Sequence, residues 1–125
     1  MSKWPQRTLL EADLQIIDGD RGKNYPSKKD FFEDGFCLFL NAGNVTLRGF
    51  DFSDTIFIDE ERDKLLRKGK LQRGDVILTT RGTVGNVAYY GNDVDFEHVR
   101  INSGMVIIRT VASQLDPRFV YFFLR

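Results

Sequence analysis

Four polar segments of the chain are rich in side chains that can contact nucleic-acid bases. Arginine can pair with guanine through two hydrogen bonds, asparagine can do so with adenine, and threonine can contact a thymine methyl group or a phosphate. Gly82 and Gly85 flank one segment and lack a Cβ, so the backbone there can approach a phosphate closely. This pattern indicates ten candidate contact residues: Arg21, Lys23, Asn24, Tyr25, Asn44, Arg48, Thr80, Arg81, Thr83 and Arg100.

The same segments also have a plainer interpretation. Hairpin tips rich in glycine and threonine are common, and arginines in loops often only keep a surface solvated. The stretch 62–73 carries six basic residues against one aspartate and could line a phosphate backbone. However, the i,i+4 pairs Glu60–Lys64 and Asp63–Arg67 are typical of a solvated helix face. The residues alone leave both interpretations open.

The zero net charge of the chain argues against a protein that binds nucleic acid through a large overall positive charge. The chain has 125 residues, the size of one domain, and its 18 Lys and Arg balance 18 Asp and Glu. A nucleic-acid contact would therefore depend on a local patch or on help from a partner.

Short apolar runs separated by polar loops predict the elements that hold these segments. The stretch 74–90 is typical of a turn, a buried strand, a polar tip and a second strand. The strands do not alternate regularly with helices, which argues against a doubly wound parallel sheet. We predict an α+β fold, a curved, mostly antiparallel, roll-like β-sheet with about three short helices. The predicted strands are 36–40, 55–58, 76–78, 86–90 and 105–109, and the predicted helices begin at Ser27, Asp59 and Pro117, the first two ending at Gly35 and Gly69.

The sequence lacks the residues that known catalytic and metal-binding motifs require at fixed spacings. The segment "GDRGKN" lacks the first glycine of a phosphate-binding P-loop, because position 17 is Ile17. As a calcium loop it would need Gly and Glu where Lys23 and Lys29 stand. A nucleophilic pair of Cys37 and His98 is a weak alternative hypothesis, in which the chain would be an enzyme. It is weak because an apolar strand disfavours the Cys37 thiolate. We expect a non-catalytic chain with no cofactor and no metal.

The single cysteine and the absence of a long apolar segment indicate the compartment. One Cys cannot form an internal disulfide, and a buried thiol fits a reducing cytoplasm. The N-terminus has no signal-peptide pattern, and no apolar run approaches the ~20 residues that span a bilayer. We therefore expect a cytoplasmic protein without a membrane partner.

Four stretches, in this order and spacing, resemble a known family. They are 4–45, which contains "DGDRGKNYP" at 18–26, then 71–90, which contains "GDVILTTRGTVG" at 74–85, then "INSGMVIIRT" at 101–110 and "LDPRFVYFFLR" at 115–125. Together they resemble a target recognition domain of the specificity subunit of type I restriction–modification systems. The resemblance covers essentially the whole chain, residues 1–125.

The resemblance implies a fold, an activity and a set of partners. The family's domain is α+β with a roll-like sheet, and each domain reads one half of a split double-stranded DNA target without catalysis. Complete subunits carry two such domains and long helices that bind DNA methyltransferase subunits, and restriction subunits join the same assembly. The sequence stops at Arg125, so the helical spacer and the second recognition domain are expected to be missing.

A protein-interaction module is the alternative that the sequence leaves open. The aromatic stretch "FVYFFL" at 119–124 is apolar on most of a predicted helix, and such a surface is normally covered. A chain of this kind could dock on methyltransferase subunits or self-associate without reading DNA.

Overall fold

A computed structural model of the chain describes residues 14–82 and 84–110. Within these ranges the chain forms nine β-strands, one α-helix and two 3-10 turns. The strands are β1 (Leu14–Asp18), β2 (Cys37–Phe39), β3 (Val45–Thr46), β4 (Gly49–Phe50), β5 (Phe57–Ile58), β6 (Val76–Thr79), β7 (Val87–Tyr89), β8 (Val99–Arg100) and β9 (Met105–Thr110). The helix α1 is Glu60–Leu65, and the 3-10 turns are Lys28–Asp30 and Ala42–Asn44.

The described strands form three sheets where the sequence predicts one. The largest has the order β1-β9-β6-β7, the second has the order β5-β2-β8, and β3 pairs with β4. Five of the six strand pairs are antiparallel, which confirms the mostly antiparallel prediction. The exception is β2 with β8, which run parallel. The sequence does not reveal β8, because two residues inside a polar stretch carry no periodicity.

Strand β2 is buried on both faces, which explains why its sequence is a continuous apolar run. Successive side chains of a strand point to opposite faces, and both faces of β2 are buried. Leu38 belongs to the main hydrophobic cluster, which also takes Ile77 and Ile107 from the largest sheet. Cys37 and Phe39 belong to a second cluster on the other face. Strand β2 therefore has the largest sheet on one face and, on the other, the cluster that includes Leu66 directly after helix α1.

The prediction of about three helices is wrong for the described residues. The stretch after Ser27 makes only the 3-10 turn Lys28–Asp30, because Phe32 then joins a β-bridge with Phe57. The backbone N–H of each of these two phenylalanines donates to the carbonyl of the other over 2.8 Å. The third predicted helix, at 117–125, lies outside the described residues.

Helix α1 begins as predicted but ends four residues early. The Asp59 carboxylate accepts a hydrogen bond from the Arg62 backbone N–H at 2.8 Å, which caps the first turn. At the other end, the guanidinium of Arg100 donates to the carbonyl oxygens of Asp63 at 2.8 Å and Leu66 at 3.1 Å. These donors satisfy the carbonyl groups that a helix end leaves unpaired. The helix therefore ends at Leu65 rather than at Gly69.

Candidate nucleic-acid interface

Hydrogen bonds join the two strands of the β6–β7 hairpin at the base of the predicted tip. The backbone N–H of Asn86 donates to the Thr79 hydroxyl at 2.9 Å, and the Gly85 N–H donates to the Thr79 carbonyl at 3.0 Å. Thr79 is buried by these contacts, whereas Thr80 and Arg81 are exposed. Gly82 and Gly85 have φ angles of 70° and 95°, in the left-handed region that favours glycine. The hairpin therefore presents Thr80 and Arg81 from a fixed base.

The loop 101–104 supports one side of this tip. The backbone N–H groups of Thr80 and Arg81 donate to the Gly104 carbonyl at 2.8 and 3.2 Å. The Asn102 side chain accepts a hydrogen bond from the Gly104 N–H at 2.8 Å, which shapes the loop. The tip and the loop thus form one surface.

The loop 19–25 lies against the same support from the other side. The Arg21 guanidinium donates to the Ser103 carbonyl at 3.2 Å, and the Ser103 N–H donates to the Tyr25 hydroxyl at 3.1 Å. The approach is close at Gly19, where an added Cβ would lie 2.9 Å from the Asn102 carbonyl oxygen. Segments about 80 residues apart in the chain are therefore held side by side.

The β3–β4 hairpin extends this surface. The Asn86 side chain donates to the Val45 carbonyl at 3.0 Å and so fixes the hairpin to the base of the tip. One shallow groove is lined by Ala42, Arg81 and other residues of the tip and the 101–104 loop. An adjoining groove is lined by Ala42, Asn86 and Arg48. We call the surface formed by residues 19–25, 47–48, 80–82 and 101–104 the loop face.

Four basic residues of the predicted set lie exposed on the loop face. They are Arg21, Lys23, Arg48 and Arg81. Arg21 makes a weak ion pair with Asp18, at 3.6 Å between exposed groups. The other three make no ion pair with any residue in 14–82 or 84–110. Their charge is therefore available to a ligand.

Four other predicted residues have internal partners, and one of them is Tyr25, whose hydroxyl accepts the hydrogen bond from Ser103. The Asn44 amide is buried and donates to the carbonyls of Asp51 at 2.8 Å and Asp54 at 3.0 Å. The Asn24 amide donates to the Leu65 carbonyl at 3.4 Å. Arg100 is buried against Asp63. Thr83 lies outside the described residues.

Three of the six basic residues in the stretch 62–73 bind other parts of the protein, whereas Lys64, Arg67 and Lys68 are exposed. Arg73 donates to the carbonyls of Gly91, Val94 and Phe96 at 2.7 to 3.2 Å and lies over the Tyr90 ring. In the same way Arg62 donates to the Asn24 carbonyl and pairs with Asp30, and Lys70 pairs with Asp63. The predicted Glu60–Lys64 pair is present at 3.5 Å, but Asp63 pairs with Lys70 and Arg100 instead of Arg67. Neither sequence interpretation of this stretch anticipates these internal roles.

Buried ion pairs anchor the framework under the loop face. Burial on its own would raise the pKa of Asp63, but hydrogen bonds from Lys70 and Arg100 outweigh it and hold the pKa below its usual value. Asp75 is buried and accepts two hydrogen bonds from the Arg109 guanidinium, both at 2.9 Å. The "GD" of the family-like motif therefore supplies an internal anchor rather than an exposed contact.

Cys37 has the environment of an unreactive thiol. Burial and the neighbouring Asp63 carboxylate raise its pKa to about 12. A nucleophilic cysteine needs an accessible thiolate, which this environment disfavours. The His98 ring stacks on Phe36, with 4.2 Å between ring centroids. These surroundings give the Cys37–His98 hypothesis no support.

Sequence reasoning missed Asn86 and Ser103, which hold the loop face together. Both are small polar residues whose roles depend on partners about 40 and 80 residues away. No local pattern marks such contacts.

Comparisons with known proteins find the same fold. No protein-family model matches the chain, and no curated protein matches it with significance. Among solved structures, the crystal structure of the HsdS subunit from Thermoanaerobacter tengcongensis superposes with a TM-score of 0.62 at 18% sequence identity. The match covers 89% of this chain and 24% of that subunit, so the chain spans about a quarter of its length. The predicted resemblance to a specificity-subunit domain is thus confirmed at the level of the fold.

The described residues show neither a membrane-spanning helix nor a metal-binding cluster. In the ranges 14–82 and 84–110, no helix is long and apolar enough to cross a membrane. The same ranges hold no group of three or more His, Cys, Asp or Glu side chains placed to bind a metal ion.

Proposed function

We propose that the chain binds double-stranded DNA and reads a short sequence, one half of the bipartite target of a type I restriction–modification system. The observation that carries this proposal is that Arg21, Lys23, Arg48 and Arg81 are exposed on segments that hydrogen bonds and adjoining grooves join, in a fold shared with an HsdS subunit. Four exposed cations on one face supply the local patch that a chain of zero net charge needs to bind DNA.

Direct readout is the proposed mechanism. Arg81, Arg21 and Arg48 are the proposed contacts to guanine or to phosphates, and Thr80 is the proposed contact to a phosphate or a thymine methyl group. The hydrogen bonds to Gly104 fix the backbone from which Arg81 projects, and the Arg21 guanidinium itself is held against the Ser103 carbonyl. A contact made from a fixed backbone loses less conformational entropy on binding. Because Asn44 and Arg100 are already engaged inside the protein, they are no longer among the proposed contacts.

The proposed partners are DNA methyltransferase subunits and, through them, restriction subunits. A surface with four exposed cations gives only modest DNA affinity by itself, so partner subunits would hold the DNA while this domain reads it. In such an assembly the chain contributes recognition and no catalysis.

Substitution of Arg81 tests the proposal. Loss of one good base contact costs ~1–3 kcal/mol, so Arg81→Ala should weaken binding to the preferred DNA about tenfold or more. Fluorescence anisotropy with labelled duplexes measures the affinity, and circular dichroism checks the fold. Lys64→Ala is the matched control, because Lys64 is also exposed but pairs with Glu60 on helix α1. Unchanged affinity in a folded Arg81→Ala protein would remove Arg81 from the readout.

A further inference from the structure

A second surface, beside the loop face, has a different chemistry. It is a groove of about 620 Å³ with walls from β4, β7 and the loop 91–96. Its aromatic walls include Phe50, Phe52 and Phe96, which form a row with 5.0 Å between successive ring centroids. This volume lies in the range of sites that bind ligands. We call it the aromatic groove.

The charged residues of the aromatic groove are two aspartates and one arginine. Asp93 and Asp95 line it and are exposed, and neither makes an ion pair with any residue that the structure describes. Arg48 also lines the groove and is shared with the loop face. Two carboxylates next to a DNA-binding face repel phosphates, so the groove lies at the edge of the proposed DNA contact and outside it.

The loop that carries the carboxylates is held rigidly. Arg73 donates three hydrogen bonds to carbonyl groups of this loop, at Gly91, Val94 and Phe96. The Tyr90 hydroxyl also donates to the Phe96 carbonyl. These hydrogen bonds fix the loop 91–96 before a ligand binds. The entropic cost of binding a ligand in the groove is therefore lower.

Aromatic faces beside carboxylates match one kind of ligand. A guanidinium group stacks on aromatic rings, forms hydrogen bonds to carboxylates and is weakly hydrated. We propose that the aromatic groove binds an arginine-bearing segment of a partner protein, with guanidinium groups over Phe52 and Phe96 and against Asp93 and Asp95. The volume accommodates more than one side chain, which fits a peptide segment better than a single small cation. The proposal does not depend on DNA readout, and Arg48 borders both surfaces.

Peptide binding to the full 125-residue chain tests the site. The probe is a fluorescein-labelled peptide that alternates arginine and glycine, compared with a peptide in which glutamine replaces each arginine. The arginine peptide should bind, and the double variant Asp93→Asn, Asp95→Asn should weaken its binding about fivefold or more. The matched control is Glu33→Gln, Glu61→Gln, which removes two exposed charges outside the groove and should change the affinity less than about twofold.

Two further readouts decide whether the groove is responsible. On titration with the arginine peptide, the NMR signals of the Phe52 and Phe96 rings should shift, and DNA binding by the Asp93/Asp95 double variant should be unchanged or tighter. Equal binding of the glutamine peptide would overturn the proposal, as would equal losses in both double variants. Weaker DNA binding by the Asp93/Asp95 variant would also overturn it, because the groove would then belong to the nucleic-acid surface.

Discussion

Arg100 illustrates how much a single residue's role depends on distant partners. Its sequence context is a polar segment, which favours an exposed contact residue. In the structure its guanidinium donates to the Asp63 carboxylate and to carbonyl groups of Asp63, Leu66 and Lys68. The Arg100–Asp63 pair joins positions 37 residues apart. Local charge patterns therefore identify the Glu60–Lys64 pair correctly but cannot identify the partners of Asp63.

Removal of Asp63 should destabilise the protein strongly. The change Asp63→Ala leaves the Arg100 guanidinium buried without its counter-charge, which typically costs ~3–5 kcal/mol of the free energy of unfolding. Urea denaturation measures this loss. Glu61→Ala, at an exposed position of the same helix, should change the free energy of unfolding by less than ~0.5 kcal/mol. Similar losses in the two variants would show that the buried pair has no special role.

The same carboxylate should make the fold sensitive to acid. The pKa of Asp63 is lowered in the folded protein, because hydrogen bonds from Lys70 and Arg100 outweigh the effect of burial. A lowered native pKa gives stability that is fully present above the unfolded pKa of ~4 and is lost as pH falls through the native pKa. The free energy of unfolding, measured by urea titrations between pH 7 and pH 3, should therefore fall below about pH 4. A flat profile across this range would contradict the structure around Asp63.

At the scale of elements, the loop face depends on close packing of segments that are distant in the chain. The tip of the β6–β7 hairpin was predictable, since turn residues, an apolar strand and glycines at fixed places have local causes. The contact of the loop 19–25 with the loop 101–104 was not predictable, because no residue pattern in either loop indicates which segment it packs against. The short 3-10 turn at Lys28–Asp30 fails as a helix for a similar reason, since the bridge between Phe32 and Phe57 overrides local preference.

Gly19 provides a test of this packing. In Gly19→Ala the new Cβ would lie 2.9 Å from the Asn102 carbonyl oxygen, so the two loops must separate. We expect the free energy of unfolding to fall by ~1–3 kcal/mol, as for other overpacked sites, and DNA binding to weaken because Arg21 is displaced. Thermal denaturation and fluorescence anisotropy measure the two effects.

Gly22 in the same loop is the matched control. A Cβ at Gly22 would lie 3.5 Å from the nearest atom, the Asp20 carboxylate oxygen, which is an ordinary contact. Gly22→Ala should therefore keep both stability and DNA affinity close to the original values. If Gly19→Ala behaves like Gly22→Ala, the close approach of the two loops is not needed for binding.

At the scale of the whole molecule, charge is balanced overall and uneven locally. Zero net charge was evident from composition, and so was the conclusion that any nucleic-acid contact must be local. Composition does not show that Arg62, Lys70, Arg73, Arg100 and Arg109 form hydrogen bonds to other residues of the protein. Only the fold separates these internal cations from the exposed ones of the loop face.

This distribution of charge predicts a shallow salt dependence. Binding through four phosphate contacts gives a slope of log affinity against log salt of about −4, because each contact contributes about −0.9. Arg81→Ala should make the slope shallower by about one if Arg81 contacts a phosphate and leave it unchanged if Arg81 reads a base. Anisotropy titrations at several salt concentrations measure the slope. A much steeper slope would mean that cations outside the loop face also contact the DNA.

A selection from random double-stranded DNA at low salt tests the central claim most directly. The chain is used alone and together with a DNA methyltransferase subunit of a type I system, after its fold has been verified by circular dichroism. We predict enrichment of one short motif of a few base pairs, which the Arg21→Ala, Arg81→Ala double variant loses and Lys64→Ala retains. If the folded chain enriches no motif even with the methyltransferase subunit present, it does not read DNA, and the interaction-module alternative is favoured.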